Sequence, residues 1–182
     1  MPPLLHKKGA KGEFMKISAM NFPRQLEAAG AVQPILEALA KRKARLSAME
    51  VPVLSLTEAL DRALRKARLQ RRVRLGFEEI FDKLAAEKKG LDEMRQKAQS
   101  PQADRISRLL LFSNDGAERL YRHIEQILTG HAPRILGCLL DVDGKKLGQL
   151  IVGNKSKGVK VILIEHKDAV SDILRTLIEK QE

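Results

Sequence analysis

The chain has no tryptophan, one tyrosine, five phenylalanines and a single cysteine in 182 residues. With aromatics at only 3%, a core has to be assembled from Leu, Ile, Val and Ala, which favours helix packing and a small aliphatic sheet. The cysteine, Cys138, lies inside an apolar run at 135–140. An internal disulfide framework and a cysteine-rich zinc site are thereby excluded, and a reducing compartment is expected. No apolar stretch approaches the roughly 20 residues of a membrane span. Lys7, Lys8, Lys11, Glu13 and Lys16 break the first 20 residues, so no secretory signal is expected and a cytoplasmic location is.

What the chain has in excess is positive charge. Lys and Arg number 34 against 23 Asp and Glu, a net charge of +11. The excess is uneven, because the segment from Lys41 to Arg74 alone holds 11 basic and 3 acidic residues. A field concentrated in this way attracts phosphate polyanions through steering and counterion release, without specifying a sequence.

Residues 1–20 carry Pro2, Pro3, Gly9 and Gly12 without apolar periodicity and read as a flexible tail. Over 21–100 the pattern is helical. Val32, Ile35, Leu36 and Leu39 recur at helical spacing until Val51 and Pro52. Ser55 followed by Glu58 resembles a capping box, and Leu56, Leu60, Ala63, Leu64 and Ala67 continue as one stripe. Phe77, Ile80, Phe81 and Leu84 restart a helical face that Gly90 is expected to end. A weak helix over 91–98 precedes a boundary at Ser100, Pro101 and Gln102.

Beyond Asp104 the spacing predicts a strand over 106–112, a helix over 117–128 and a strand over 134–141. A hairpin through Asp143 and Gly144 then leads to a strand over 147–152, followed by a strand over 159–165 and a helix capped by Asp168. The fold expected is α+β (or α/β): a basic helical N-terminal half at 21–100, then a compact β-α-β-β-β-α domain at 104–182 with a small mixed sheet.

The basic helices carry the leading functional expectation, a non-enzymatic nucleic-acid-binding or ribonucleoprotein-associated factor. Arg62, Arg65, Lys66, Arg68, Arg71, Arg72 and Arg74 would contact phosphates, with Lys41, Arg42, Lys43 and Arg45 extending the surface. Aromatic residues are absent from the strands expected after Gly130, so backbone or shape recognition is favoured over base stacking. RNA is placed slightly ahead of DNA. An ordinary solvated turn is the simpler account of the loop Gly153-Asn154-Lys155-Ser156-Lys157-Gly158, which gains meaning only beside another basic surface. Docking of the basic helices on an acidic protein is a further alternative.

The nearly neutral second half holds the chemistry-bearing side chains. If its first, second and fourth strands run the same way, their carboxyl ends gather Asp141, Asp143, Glu165 and Lys167 at one edge, where α/β sheets place ligands. Such a group could hold Mg²⁺ and orient a water for phosphodiester hydrolysis. The helix, the three strands and Glu165-His166-Lys167 resemble the core of the PD-(D/E)xK nucleases over roughly residues 115–180. That family's partner aspartate stands on the preceding strand, where this chain has Gln149. Asp141-Val142-Asp143 with Glu165 and Asp168 also resembles Toprim motifs in reversed order. Asp141-Val142-Asp143-Gly144 is similar to the opening of the haloacid dehalogenases, with Lys145 in place of threonine. The resemblances imply a divalent-metal nuclease or phosphodiesterase as the alternative to a non-enzymatic binder. No histidine has a ligand-spaced partner, and no P-loop or dinucleotide fingerprint occurs.

Overall fold

The most apolar segments of the chain become the centre of a sheet, because a strand covered on both faces has to be apolar at every position. The computed structural model describes residues 17–97 and 104–180. Of the tail expected over 1–20, residues 1–16 lie outside the described residues, as does the boundary at Ser100, Pro101 and Gln102, whereas Ile17 and Met20 pack against the core. Six strands are found among those described: β1 (Lys43–Arg45), β2 (Glu50–Leu54), β3 (Val73–Leu75), β4 (Arg108–Phe112), β5 (Ile135–Leu140) and β6 (Val161–Ile164). They form one mixed sheet in the order β1-β2-β5-β4-β6-β3. Strands β2, β5 and β4 run parallel, β6 runs antiparallel to β4, and the two outermost strands are three residues each.

Among the described residues seven α-helices cover the sheet: α1 (Arg24–Ala28), α2 (Val32–Ala40), α3 (Glu58–Leu69), α4 (Phe77–Lys97), α5 (Glu118–Gly130), α6 (Gly144–Ile151) and α7 (Lys167–Thr176). Alternation along the strands divides the core in two. Leu109, Leu111, Leu136, Cys138, Ile162 and Ile164 pack with apolar residues of α1, α2, α3, α6 and α7. Leu110, Phe112, Ile135, Leu139 and Leu163 pack with Ile80 and Leu84 of α4 and Ile124, Ile127 and Leu128 of α5. The result is an α+β fold of three layers.

Four expectations are corrected. The N-terminal half is not only helical, since it supplies β1, β2 and β3, and its helices share the core of the second half. Pro52 marks no helix end: Val51, Pro52, Val53 and Leu54 form a fully buried run that pairs with β5. Helix α4 continues through Gly90 to Lys97, a position where glycine costs about 1 kcal/mol relative to alanine without breaking a 21-residue helix.

The fourth correction moves chemistry. Residues 147–152 do not form a strand. Asp143 is an N-cap whose carboxylate accepts from the Lys146 amide at 2.7 Å, and Leu147, Leu150 and Ile151 sit at helical spacing on the buried side of α6. After α6 the chain climbs back along the helix to the edge it left. Gly148 permits this, because a Cβ there would stand 2.5 Å from Ser156 Oγ and 3.0 Å from the Gly158 backbone. The Val159 amide then donates to the Gly144 carbonyl at 2.8 Å. Strand β6 therefore begins beside the end of β4 and runs the other way.

Candidate nucleic-acid interface

Helix α3 owes its two faces to its sequence spacing. Leu60, Leu64 and Ala67 are buried, which turns Arg62 and Arg65 outward and aims the residues between at the neighbouring helices. Thr57, not Ser55, caps it, accepting from the Leu60 amide at 3.1 Å. On one flank Lys66 reaches Asp172 of α7 at 3.3 Å. On the other, Arg68 Nε donates to the Ile151 carbonyl at the end of α6, also at 3.3 Å. Arg65 pairs within its own helix with Asp61 at 2.5 Å, while Arg62 lies 3.9 Å from a Glu58 that is almost fully exposed. Exposed pairs of this kind contribute about 0–1 kcal/mol, so the arginines remain free to exchange partners.

The helix ends in a Schellman turn. The Arg71 amide donates to the Arg68 carbonyl and the Arg72 amide to the Ala67 carbonyl. Arg71 occupies the left-handed position of that turn with φ 58. A side chain there costs roughly 1–2 kcal/mol that glycine does not. Arg71 is exposed and makes no ion pair with a described residue.

Both α3 and the lysine loop lie against α6: Arg68 is tied to its last turn, and Ser156 and Gly158 pack on Gly148. Lys145, Lys146, Lys155 and Lys157 are exposed on α6 and the loop. Two basic features 84 to 95 residues apart in the chain, Arg62–Arg71 and Lys155–Lys157, thus flank one helix. Lys145 and Lys146 escape the sequence reading because the hairpin expected there makes them part of a turn. The N-cap role of Asp143 was the signal that could have found them.

The other expected contacts are dispersed. Lys41 and Arg42 stand at the carboxyl edge of the parallel strands, where Arg42 pairs with Asp141 at 2.8 Å, and Lys43 lies opposite Pro52 in the middle of β2. Arg45 lies at the far end of β1, opposite Glu50. Arg72 is half-buried, and its carbonyl accepts from the Glu165 amide. Arg74 is held by Glu165 at 3.0 Å in a partly buried pair, and that carboxylate raises its pKa further above the ordinary guanidinium value.

The nuclease-like constellation does not assemble. Asp141 and Asp143 follow β5 at the carboxyl edge, whereas the antiparallel run of β6 carries Glu165 and Lys167 to the opposite edge. His166 caps α7 there, accepting from the Asp168 amide at 3.1 Å. Among the described residues no three His, Cys, Asp or Glu side chains are placed to hold a metal ion, and no helix is long and apolar enough to cross a membrane.

The carboxyl-edge acids tie loops together. Asp141 accepts from Asn114 at 3.0 Å and pairs with Arg42, while Asp115 pairs with Lys160 at 2.8 Å and accepts from the Gly144 amide at 2.9 Å. These partners, Asn114 first for Asp141 and Lys160 first for Asp115, hold both carboxyls below the usual aspartate value. Lowered folded-state pKa values give stability that is complete above the unfolded value near 3.8 and is lost as pH falls through the folded values. Urea midpoints are therefore expected to hold down to about pH 5 and to drop as pH falls further towards about 2, with a shallower drop in the Asp115→Asn, Asp141→Asn double variant. An unchanged drop in that variant would show that other groups carry the acid sensitivity.

No family model matches this chain, and a search of curated proteins finds none similar to it.

Proposed function

We propose that the protein binds the sugar–phosphate backbone of a nucleic acid through the surface made by α3, α6 and the loop 153–158. The observation that carries this reading is that α3 and the lysine loop pack on the same helix, α3 through Arg68 and the loop through Ser156 and Gly158, while Arg62, Arg65, Lys155 and Lys157 are exposed on those two elements. Exposed guanidinium and ammonium groups spread over two neighbouring elements neutralise several phosphates at once, and each phosphate contact displaces condensed counterions. Arg71 adds to the case: a cation occupies a backbone conformation in which glycine would be less strained, and strain of that kind concentrates at functional positions. Recognition of this type reads charge and shape, not base edges.

Binding of RNA and DNA duplexes, followed by fluorescence anisotropy at increasing salt, is expected to weaken with a log–log slope of about −4, at about 0.9 per phosphate. Charge reversal at Arg62, Arg65 and Arg68 is expected to lower affinity about 100-fold at ~0.1 M salt and to flatten the slope by about 3. Arg71→Gly separates binding from folding. It is expected to leave stability equal or raise it by up to about 1 kcal/mol while weakening the complex. Salt-independent binding, or full affinity in the charge-reversal variant, would overturn the proposal.

A further inference from the structure

On the opposite layer, a cavity of about 70 Å³ opens between α4, the end of α5 and the amino ends of β4 and β5. Its floor is apolar, formed by Leu84, Leu91 and Ile135. Its charged groups are unequally engaged. Arg108 grips Glu87 with two guanidinium nitrogens, at 2.9 and 3.2 Å, and Arg95 is paired with Asp104. Two of the three acids on the wall are therefore already neutralised. Arg134 has no such partner among the described residues. Its half-buried guanidinium donates to Ser107 Oγ at 3.0 Å, and burial first and then the neighbouring Arg108 lower its pKa against the opposing pull of Glu87 and Asp104. Lys88 donates to the Gly130 carbonyl at 3.0 Å, which leaves it two further donors. His131 completes the wall with its pKa held below the ordinary imidazole value, first by burial and then by Lys88.

A partly desolvated cation next to a second cation, with donors left over and the nearby carboxylates of Glu87 and Asp104 already engaged by other arginines, is stabilised by an anion of matching geometry. Guanidinium groups bind tetrahedral oxyanions in paired, charge-assisted hydrogen bonds. A cavity of about 70 Å³ has room for one phosphoryl group. We infer that this cavity is a phosphate monoester site, with Arg134 as the principal ligand and Lys88 and His131 as further donors. Asp92 at its rim limits the affinity. None of these residues belongs to the α3–α6 surface, so the site stands or falls apart from the proposed function. The monoester can come from free inorganic phosphate or from the terminal phosphate of a nucleic-acid strand.

Titration of the full chain with inorganic phosphate, followed through the His131 imidazole by NMR, tests the assignment. Bound phosphate is expected to shift the His131 signals and raise its pKa. Arg134→Gln should weaken binding at least ten-fold, and Asp92→Asn should strengthen it. Where Arg134→Gln disturbs folding, Lys88→Gln serves in its place, since it leaves the Arg134–Ser107 bond intact. A 5′-phosphorylated oligonucleotide that competes with inorganic phosphate, beside a 5′-hydroxyl control that does not, assigns the strand end. Failure of both to compete while phosphate still binds assigns the free anion. His131 signals unmoved into the tens of millimolar phosphate, or undiminished binding in both Arg134→Gln and Lys88→Gln, overturn the site.

Discussion

A fragment comprising residues 104–182 is expected to lack a cooperative thermal transition and to bind hydrophobic dyes. It holds β4, β5, β6 and the helices between and after them, yet it loses the cover on both faces of its sheet. Removal of the preceding chain strips Leu60, Leu64 and Ala67 of α3, with Leu26, Ile35 and Leu39, from one face, and Ile80 and Leu84 from the other. It also leaves β5 without β2 and β6 without β3. Truncation of a single buried leucine to alanine costs about 2–5 kcal/mol, against a total stability of only about 5–15 kcal/mol for a native protein. Loss of five or more such side chains exceeds that reserve. Circular dichroism on heating, together with dye fluorescence, measures the outcome. A sharp two-state transition in the fragment would restore the division at Ser100–Gln102 that the sequence alone favours.

Gly137→Ala is expected to destabilise the protein by about 1–3 kcal/mol. This glycine lies in β5, covered by α5, and a Cβ there would stand 2.5 Å from Leu128 Cδ1. Leu128 is fully buried, so it has no open space into which to withdraw. The clash is specific to one pair, which makes a double-mutant cycle decisive. Leu128→Ala alone creates a cavity and costs about 2–5 kcal/mol. The double variant is expected to cost at least about 1 kcal/mol less than the sum of the two single changes, because the new methyl occupies space that the leucine vacates. Denaturant midpoints at constant m-value report these differences. Additivity within about 0.5 kcal/mol would show that the sheet and α5 separate freely at this point.

How far these features could be read in the sequence depended on how local their causes are. Helix α3 was legible residue by residue, since Leu60, Leu64 and Ala67 repeat at helical spacing and the cations between them have to face elsewhere. Strands β4 and β5 were legible as unbroken apolar runs. Strand β3 was not, because Val73-Arg74-Leu75 is three residues held by pairing with β6, a partner some 90 residues away. The most consequential misreading was local in origin and long-range in effect. With 147–152 taken as a strand, 153–158 became a tight turn and β6 acquired the wrong direction. In the folded protein the same six residues climb back along α6, a path set by contacts with Gly148 and Gly144 that no periodicity reports. That single difference carries Glu165 and Lys167 away from Asp141 and Asp143, and it also brings Lys155 and Lys157 to the helix that α3 packs against.

The two short outer strands bear on how this protein behaves when crowded. A free sheet margin is a template on which another chain can grow by hydrogen bonding, and the hazard rises with its length and apolar character. Here the margins are Lys43-Ala44-Arg45 and Val73-Arg74-Leu75. Each offers a pairing ladder of three residues, and charged side chains interrupt both. Short length and charge at both borders work against edge-to-edge stacking of a sheet whose centre is almost entirely aliphatic.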